Sequence, residues 1–258
     1  MDVSFIVTIF LVGFIGSFIS GMFGIGGAII NFPLLLFVPA ALGVAHFTSH
    51  EVAGITAIQV LFATMGGVWI YRKGSYLNKK LIAYMGISIL VGSFIGGFGS
   101  NHLTENTINM IYGMLALLAV ILMFVPKKGL DDVSFEQVNF NKRLAVLLSF
   151  IVGICAGIVG AGGAFLLVPI MLTVLKIPTR MTIASSLAIT FISSIGSTVG
   201  KIATGQVEFM PAIMIVLASL IAAPIGAKIS KRMDTKILQV MLSVLLCMTA
   251  IKVWIDIL

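Results

Sequence analysis

Long apolar runs alternate along this chain with short polar groups. The runs lie at about residues 4–21, 26–43, 51–71, 80–99 and 106–125, and again at about 143–157, 162–176, 182–202, 208–229 and 236–257. A helix needs about 20 apolar residues to cross a bilayer, and most of the runs approach that length. They are apolar on most faces and lack the alternation of a barrel strand, so each is expected to be a helix. The first two runs of the second set are short. Each Gly-rich pair is therefore either two tilted spans or a re-entrant hairpin. The connections carry helix-start chemistry: Thr48-Ser-His-Glu51 reads as a capping box, Asp234 is placed to cap the last run, and Pro178 and Pro211 fall at or near first turns.

Two of the junctions are unlike the rest. Gly21-Met-Phe-Gly24-Ile-Gly26-Gly27-Ala28 is followed after four residues by Pro33, and Gly157-Ile-Val-Gly160-Ala-Gly162-Gly163-Ala164 after four by Pro169. Each glycine costs a helix roughly 1 kcal/mol against alanine, so the apolar run is expected to break there. The same break at the same spacing implies an internal duplication of five segments against five. The halves are 1–126 and 142–258, joined by a polar linker over 127–141.

The charge pattern gives these halves an orientation. Only 10% of the residues are charged and 59% are hydrophobic, against about 25% charged in a soluble domain. This indicates an integral membrane protein. The net charge of +7 comes from short loops and lacks the aromatic interleaving of a nucleic-acid surface. Basic residues cluster at Arg72–Lys80, in the linker, at Lys176–Arg180 and at Lys228–Lys236, while the loops at 46–50, 101–106 and 205–208 have none. By the positive-inside rule the loop between segments three and four is cytoplasmic in the first half and external in the second. The expected architecture is thus an all-α polytopic membrane protein with an inverted repeat, Gly-broken helices near the midplane and both termini outside. The N-terminus lacks the basic region of a signal peptide, so the first segment is expected to remain in the mature chain. Cys155 and Cys247 lie in apolar runs and read as buried small residues.

The paired glycine motif, the two halves and the basic linker together resemble the sulfite exporter TauE/SafE family of membrane transporters, across essentially the whole chain. The resemblance implies movement of small sulfur-containing or carboxylate anions, such as sulfite, sulfoacetate or sulfate, across the plasma membrane. It implies no redox cofactor.

The residues themselves suggest how an anion would be held. A broken helix presents an N-terminus inside the membrane, with unpaired N–H groups and partial positive charge. Two such ends, at Gly24, Gly26, Gly27 and Ala28 and at Gly160, Gly162, Gly163 and Ala164, would point at one centre if the halves are inverted. The alternative is that these glycines only permit close helix packing. The eighth segment carries Ser186, Thr190, Ser193 and Ser197 on one helix face, widened by Ser185, Ser194 and Thr198. Thr56 and Gln59 stand at a comparable level in the first half. Asn31 is polar where its repeat equivalent, Leu167, is not. These side chains either donate to an oxyanion or bond their own helices. Lys201, in or at the end of the eighth segment, is the best candidate for a charge near the pathway, against the favoured expectation that it snorkels to the interface. No metal-ligand spacing, nucleophile set or nucleotide motif occurs. The partners expected are a small anionic substrate, lipid and a coupling ion, H+ or Na+, with no nucleic acid. A carboxylate or thiol transporter fits the same pattern. An intramembrane enzyme or assembly factor is the reading from another class.

Overall fold

The computed structural model describes residues 3–23, 28–71, 77–124, 140–230 and 232–234, and scattered positions from 237 to 254. All its regular elements are helices: α1 (Val3–Phe23), α2 (Ala28–Ala41), α3 (Ser49–Tyr71), α4 (Lys79–Gly99), a 3-10 turn (Ser100–His102), α5 (Glu105–Phe124), α6 (Lys142–Val159), α7 (Ala164–Thr173), α8 (Thr179–Ala203) and α9 (Phe209–Ser230). The tenth expected segment and the linker fall largely outside the described residues. So does the first glycine break, Gly24, Gly26 and Gly27.

Among the described residues, seven helices are long and apolar enough to cross a membrane. One of them is α6, whose 18 residues extend the run read at 143–157. The other two differ in kind. With 14 residues in α2 and 10 in α7, their lengths are about 21 and 15 Å against a hydrocarbon core of about 30 Å. Each glycine break is thus followed by a helix too short to span.

The polar connections start helices as their sequences suggest. Thr48 N–H donates to Glu51 Oε2 at 2.7 Å while Glu51 N–H donates back to Thr48 Oγ1 at 3.3 Å, the reciprocal pair of a capping box. Asn78 and Asn141 cap α4 and α6 through their side-chain oxygens.

Six long helices pack in the order α1, α9, α3, α8, α4, α6. Half-one α4 lies between two half-two helices, and half-two α9 lies between two half-one helices. Exchanging α1 with α6, α9 with α4 and α3 with α8 returns the same row. Small residues let the outer pairs approach. On α4 against α6, a Cβ added at Gly92, Gly96, Gly153 or Gly157 would strike the partner's backbone; on α1 against α9, the same holds for Gly21 and Gly226. Away from these seams large apolar side chains are exposed at turn spacing, Val7, Leu11 and Ile15 on α1 and Ile87, Val91, Phe94 and Phe98 on α4. That is the surface lipid requires. Of the six helices in the row, α3 and α8 are the most enclosed, and they meet at its centre.

The two ends of the bundle differ in charge. At one end the loops free of Lys and Arg converge: Ser49 N–H donates to Glu105 Oε2, and the His50 ring reaches both Leu103 O and Gln206 Oε1. At the other, Asn78 N–H donates to Ser185 Oγ, Arg180 donates to Met233 O, and Lys142 Nζ lies 5.3 Å from the Tyr84 ring centroid.

Candidate substrate-binding site

Between α6 and α7 the chain makes a left-handed break. Gly160, Gly162 and Gly163 have φ of +74°, +63° and +79°, a region that L side chains enter at a cost of about 1–2 kcal/mol. Gly160 ends α6, and Ala161 N–H returns to Ala156 O at 2.9 Å, closing the helix in a Schellman manner. Gly163 starts α7 without a side chain to cap it. The first N–H groups of a helix have no partner within it, and here they begin at Ala164.

The break is buried where α3 and α8 meet. A Cβ at Gly162 would come within 2.6 Å of Val60 Cγ1 and 2.7 Å of Thr190 Cγ2. At Gly160 it would overlap the Ala53 carbonyl. The motif therefore divides into two functions. Its first glycines, Gly21 and Gly157, are packing positions against α9 and α4. Its later ones, Gly160, Gly162 and Gly163, make the turn.

The hydroxyl stripe of α8 also divides. Ser186 and Ser194 donate to carbonyls of their own helix, Ile183 O and Phe191 O, Ser185 accepts from Asn78 N–H, and Ser197 reaches Gly157 O at 3.4 Å. Thr190 Oγ1 and Ser193 Oγ are fully buried with no hydrogen-bond partner, and the Thr190 methyl lies against Gly162. In the first half Asn31 is buried with both amide atoms unpartnered, and so is Gln59 Oε1. Gln59 is fixed from its other side: its Nε2 donates to Ser17 Oγ at 2.8 Å, and Ser17 is 2.7 Å from Ser219 Oγ. Asn31 packs against Gly16, the neighbour of Ser17, and Ser20 one turn on is likewise buried and unpartnered. Thr56 bonds back to Val52 O and offers less. An unsatisfied buried polar group costs roughly 1–3 kcal/mol. Several such groups on α1, α2, α3 and α8, with Thr190 against the break, mark a place built for something more than packing.

Two features were not read from the sequence. The Gln59–Ser17–Ser219 chain joins α3, α1 and α9; its signal in the sequence is the one-turn spacing of Ser17 and Ser20. Lys201 does not snorkel. It is fully buried, and its ammonium donates to Ser100 Oγ at 2.9 Å and Gln206 Oε1 at 3.0 Å. The C-terminal carbonyl ends of α4 and α8 both lie at this point, which favours a cation there.

The family model described as sulfite exporter TauE/SafE matches residues 9–253, nearly the whole of this helical chain. The chain belongs to that family. Among its relatives, the probable membrane transporter protein YunE of Bacillus subtilis (strain 168) is 26% identical, with 94% of each chain covered. The probable membrane transporter protein MJ0441 of Methanocaldococcus jannaschii is 25% identical, covering 92% of this chain and 90% of its own. No solved structure matches. The glycine break and buried amides described above thus belong to a multi-pass TauE/SafE-family protein.

Proposed function

We propose that this membrane transporter moves small anions, sulfite, organosulfonates or sulfate-like oxyanions, across the plasma membrane by alternating access of its two halves. The observation that carries this reading is a set of buried donors without hydrogen-bond partners: Thr190 Oγ1, whose methyl lies against Gly162 of the α6–α7 break, Ser193 Oγ three residues along α8, and Asn31 Nδ2 on α2, against Gly16. An oxyanion accepts hydrogen bonds from hydroxyls, an amide and the N–H groups near Gly162, Gly163 and Ala164 without any buried counter-charge. The equivalent end at Gly24, Gly26, Gly27 and Ala28 completes the site on the repeat correspondence. Ser186, already donating to its own helix, lies at the margin, and Gln59 Oε1 serves as the acceptor for a protonated oxygen or a water. The exchange symmetry of the helix row supports two halves rocking about one centre. The loops without basic residues then face outward, with both termini.

Uptake into proteoliposomes against a panel of sulfite, sulfate, sulfoacetate, acetate and cysteine tests the substrate class. Thr190→Ala and Ser193→Ala are expected to raise the half-saturation concentration of the transported anion about 2–10-fold, matching a net hydrogen bond of about 0.5–1.5 kcal/mol. Folded yield is expected to stay near that of the parent, because neither hydroxyl holds a protein partner. Unchanged saturation in both variants, or transport of neutral solutes alone, would refute the anion site.

A further inference from the structure

We propose that Lys201, Gln206, His50 and Ser100 form a proton-binding site at the end of the bundle where the non-basic loops meet. We assign to it the proton that is exchanged as the anion moves; that coupling rests on the anion reading above, whereas proton binding does not.

Gln206 Oε1 faces three groups at once: Lys201 Nζ at 3.0 Å, Ser100 Oγ at 3.0 Å and His50 Nδ1 at 3.3 Å. The other imidazole nitrogen, Nε2, is 3.1 Å from Leu103 O. Both ring nitrogens therefore face carbonyl oxygens. A neutral imidazole has one N–H, so only the protonated ring satisfies both contacts. With Lys201 an ammonium as well, two cations would share one amide oxygen in a membrane protein.

Turning the Gln206 amide over gives a second consistent arrangement. Its NH2 then donates to His50 Nδ1 and to the lone pair of a neutral Lys201 amine, and Ser100 Oγ donates to Gly97 O alone. Thr204 Oγ1, 2.6 Å from the present Nε2, turns its hydrogen from Gly200 O to the amide oxygen. The long 3.5 Å contact between Nε2 and Gly97 O is lost. The atoms stay where they are and the hydrogens rearrange, which is the ambiguity inherent in an amide and an imidazole. The cluster thus has a neutral and a cationic form, separated by proton uptake and a rotation of one amide. Binding adds a proton from water to the nitrogen pair; release returns it.

No carboxylate among the described residues is hydrogen-bonded to this cluster. Among the described residues, Glu51 is engaged by Thr48, Glu105 accepts from Ser49 N–H, and His46, His102 and Glu208 are exposed. The helices packed against Lys201 contribute no other charged group there, since the basic residues of α4, α6 and α9 lie at the far end. Lys201 also continues the Thr190, Ser193 and Ser197 face of α8 at turn spacing. It is therefore connected to the proposed anion site through one rigid helix.

The first test needs no substrate. Difference acid–base titration of the purified full chain against Lys201→Met is expected to show one more exchangeable proton in the parent over the neutral range, and Lys201→Arg is expected to lack it too. Equal titration would overturn the proposal. If neither variant folds, lysine 15N NMR of the parent decides: one slowly exchanging side-chain nitrogen is expected to pass between ammonium and amine, and an ammonium throughout overturns the assignment. The second test uses proteoliposomes with an internal pH dye and gradients of sulfite, sulfate or sulfoacetate. In the parent the anion gradient is expected to move protons. Lys201→Arg is expected to retain anion counterflow and lose proton movement. Proton movement retained in that variant, or counterflow lost with it, overturns the coupling role. A parent that moves none of these anions refutes the anion reading while the titration still stands or falls by itself.

Discussion

An alanine at Gly162 would meet a left-handed backbone and two neighbouring methyl groups together. The backbone alone costs about 1–2 kcal/mol, and Val60 and Thr190 stand within 2.7 Å of the new Cβ. Gly162→Ala is therefore expected to lower the melting temperature and to displace Thr190 from the break. On the proposed function an anion such as sulfate is expected to stabilise the parent by mass action, and that ligand-dependent shift is expected to vanish in Gly162→Ala. Gly157→Ala is the matched comparison. It too has a crowded Cβ, against the Ser93 carbonyl, but its expected loss is in stability alone, with the anion-dependent shift retained. Thermal unfolding with and without sulfate separates them, and an undiminished shift in folded Gly162→Ala would end the case for backbone binding. On the repeat correspondence Gly26→Ala follows Gly162→Ala. The sequence could place the break, since four glycines in seven residues do not sit easily in a helix. It could not assign roles within it, because a glycine that admits a neighbouring backbone and one that takes positive φ are the same letter.

Helix length and helix seams come from different signals. The apolar runs, the capping box at Thr48–Glu51 and the shortness of α7 were legible, because hydropathy and cap chemistry are local. The pairing of α4 with α6 and of α1 with α9 was not, since it depends on which small residues face one another across the bundle. The same limit explains Lys201: from sequence it ends a helix near an interface, and only the third dimension brings Ser100 and Gln206 to its ammonium. Likewise the α8 stripe was visible as a face, but whether each hydroxyl bonds its own helix or stands unpartnered was not. At the seam the expected result is specific. Gly96→Ala would press a methyl into the Ile154 carbonyl of α6, whereas nothing lies within 4 Å of a Cβ at Gly99, three residues on. Overpacking of this kind typically costs about 1–3 kcal/mol. Gly96→Ala is expected to unfold several degrees below the parent and Gly99→Ala alongside it, as read by thermal denaturation in detergent. Equal melting of the two variants would show that the α4–α6 seam yields without cost.

At the scale of the molecule, the row of six helices and the charge of its two ends make one claim about orientation. Each half places its fourth helix between helices of the other half, so neither half has a closed core alone. If the halves are inverted, the loop before α4 and the loop before α9, equivalent in the repeat, must lie on opposite sides of the membrane. The structure puts residues next to them at opposite ends: Asn78 is bonded to Ser185, and Gln206 to His50. Charge then sets which end is which, because basic residues flank the first loop and the second has only Lys201 just before it, buried inside α8. Single cysteines test this, placed in a background where Cys155 and Cys247 have been changed to serine. Gly205→Cys is expected to react with a membrane-impermeant maleimide in intact cells. Ser75→Cys, and a cysteine in the 127–141 linker, are expected to react only once the membrane is made permeable. Labelling of Ser75→Cys and Gly205→Cys from the same side would remove the inversion, and with it the convergence of two helix ends on one anion.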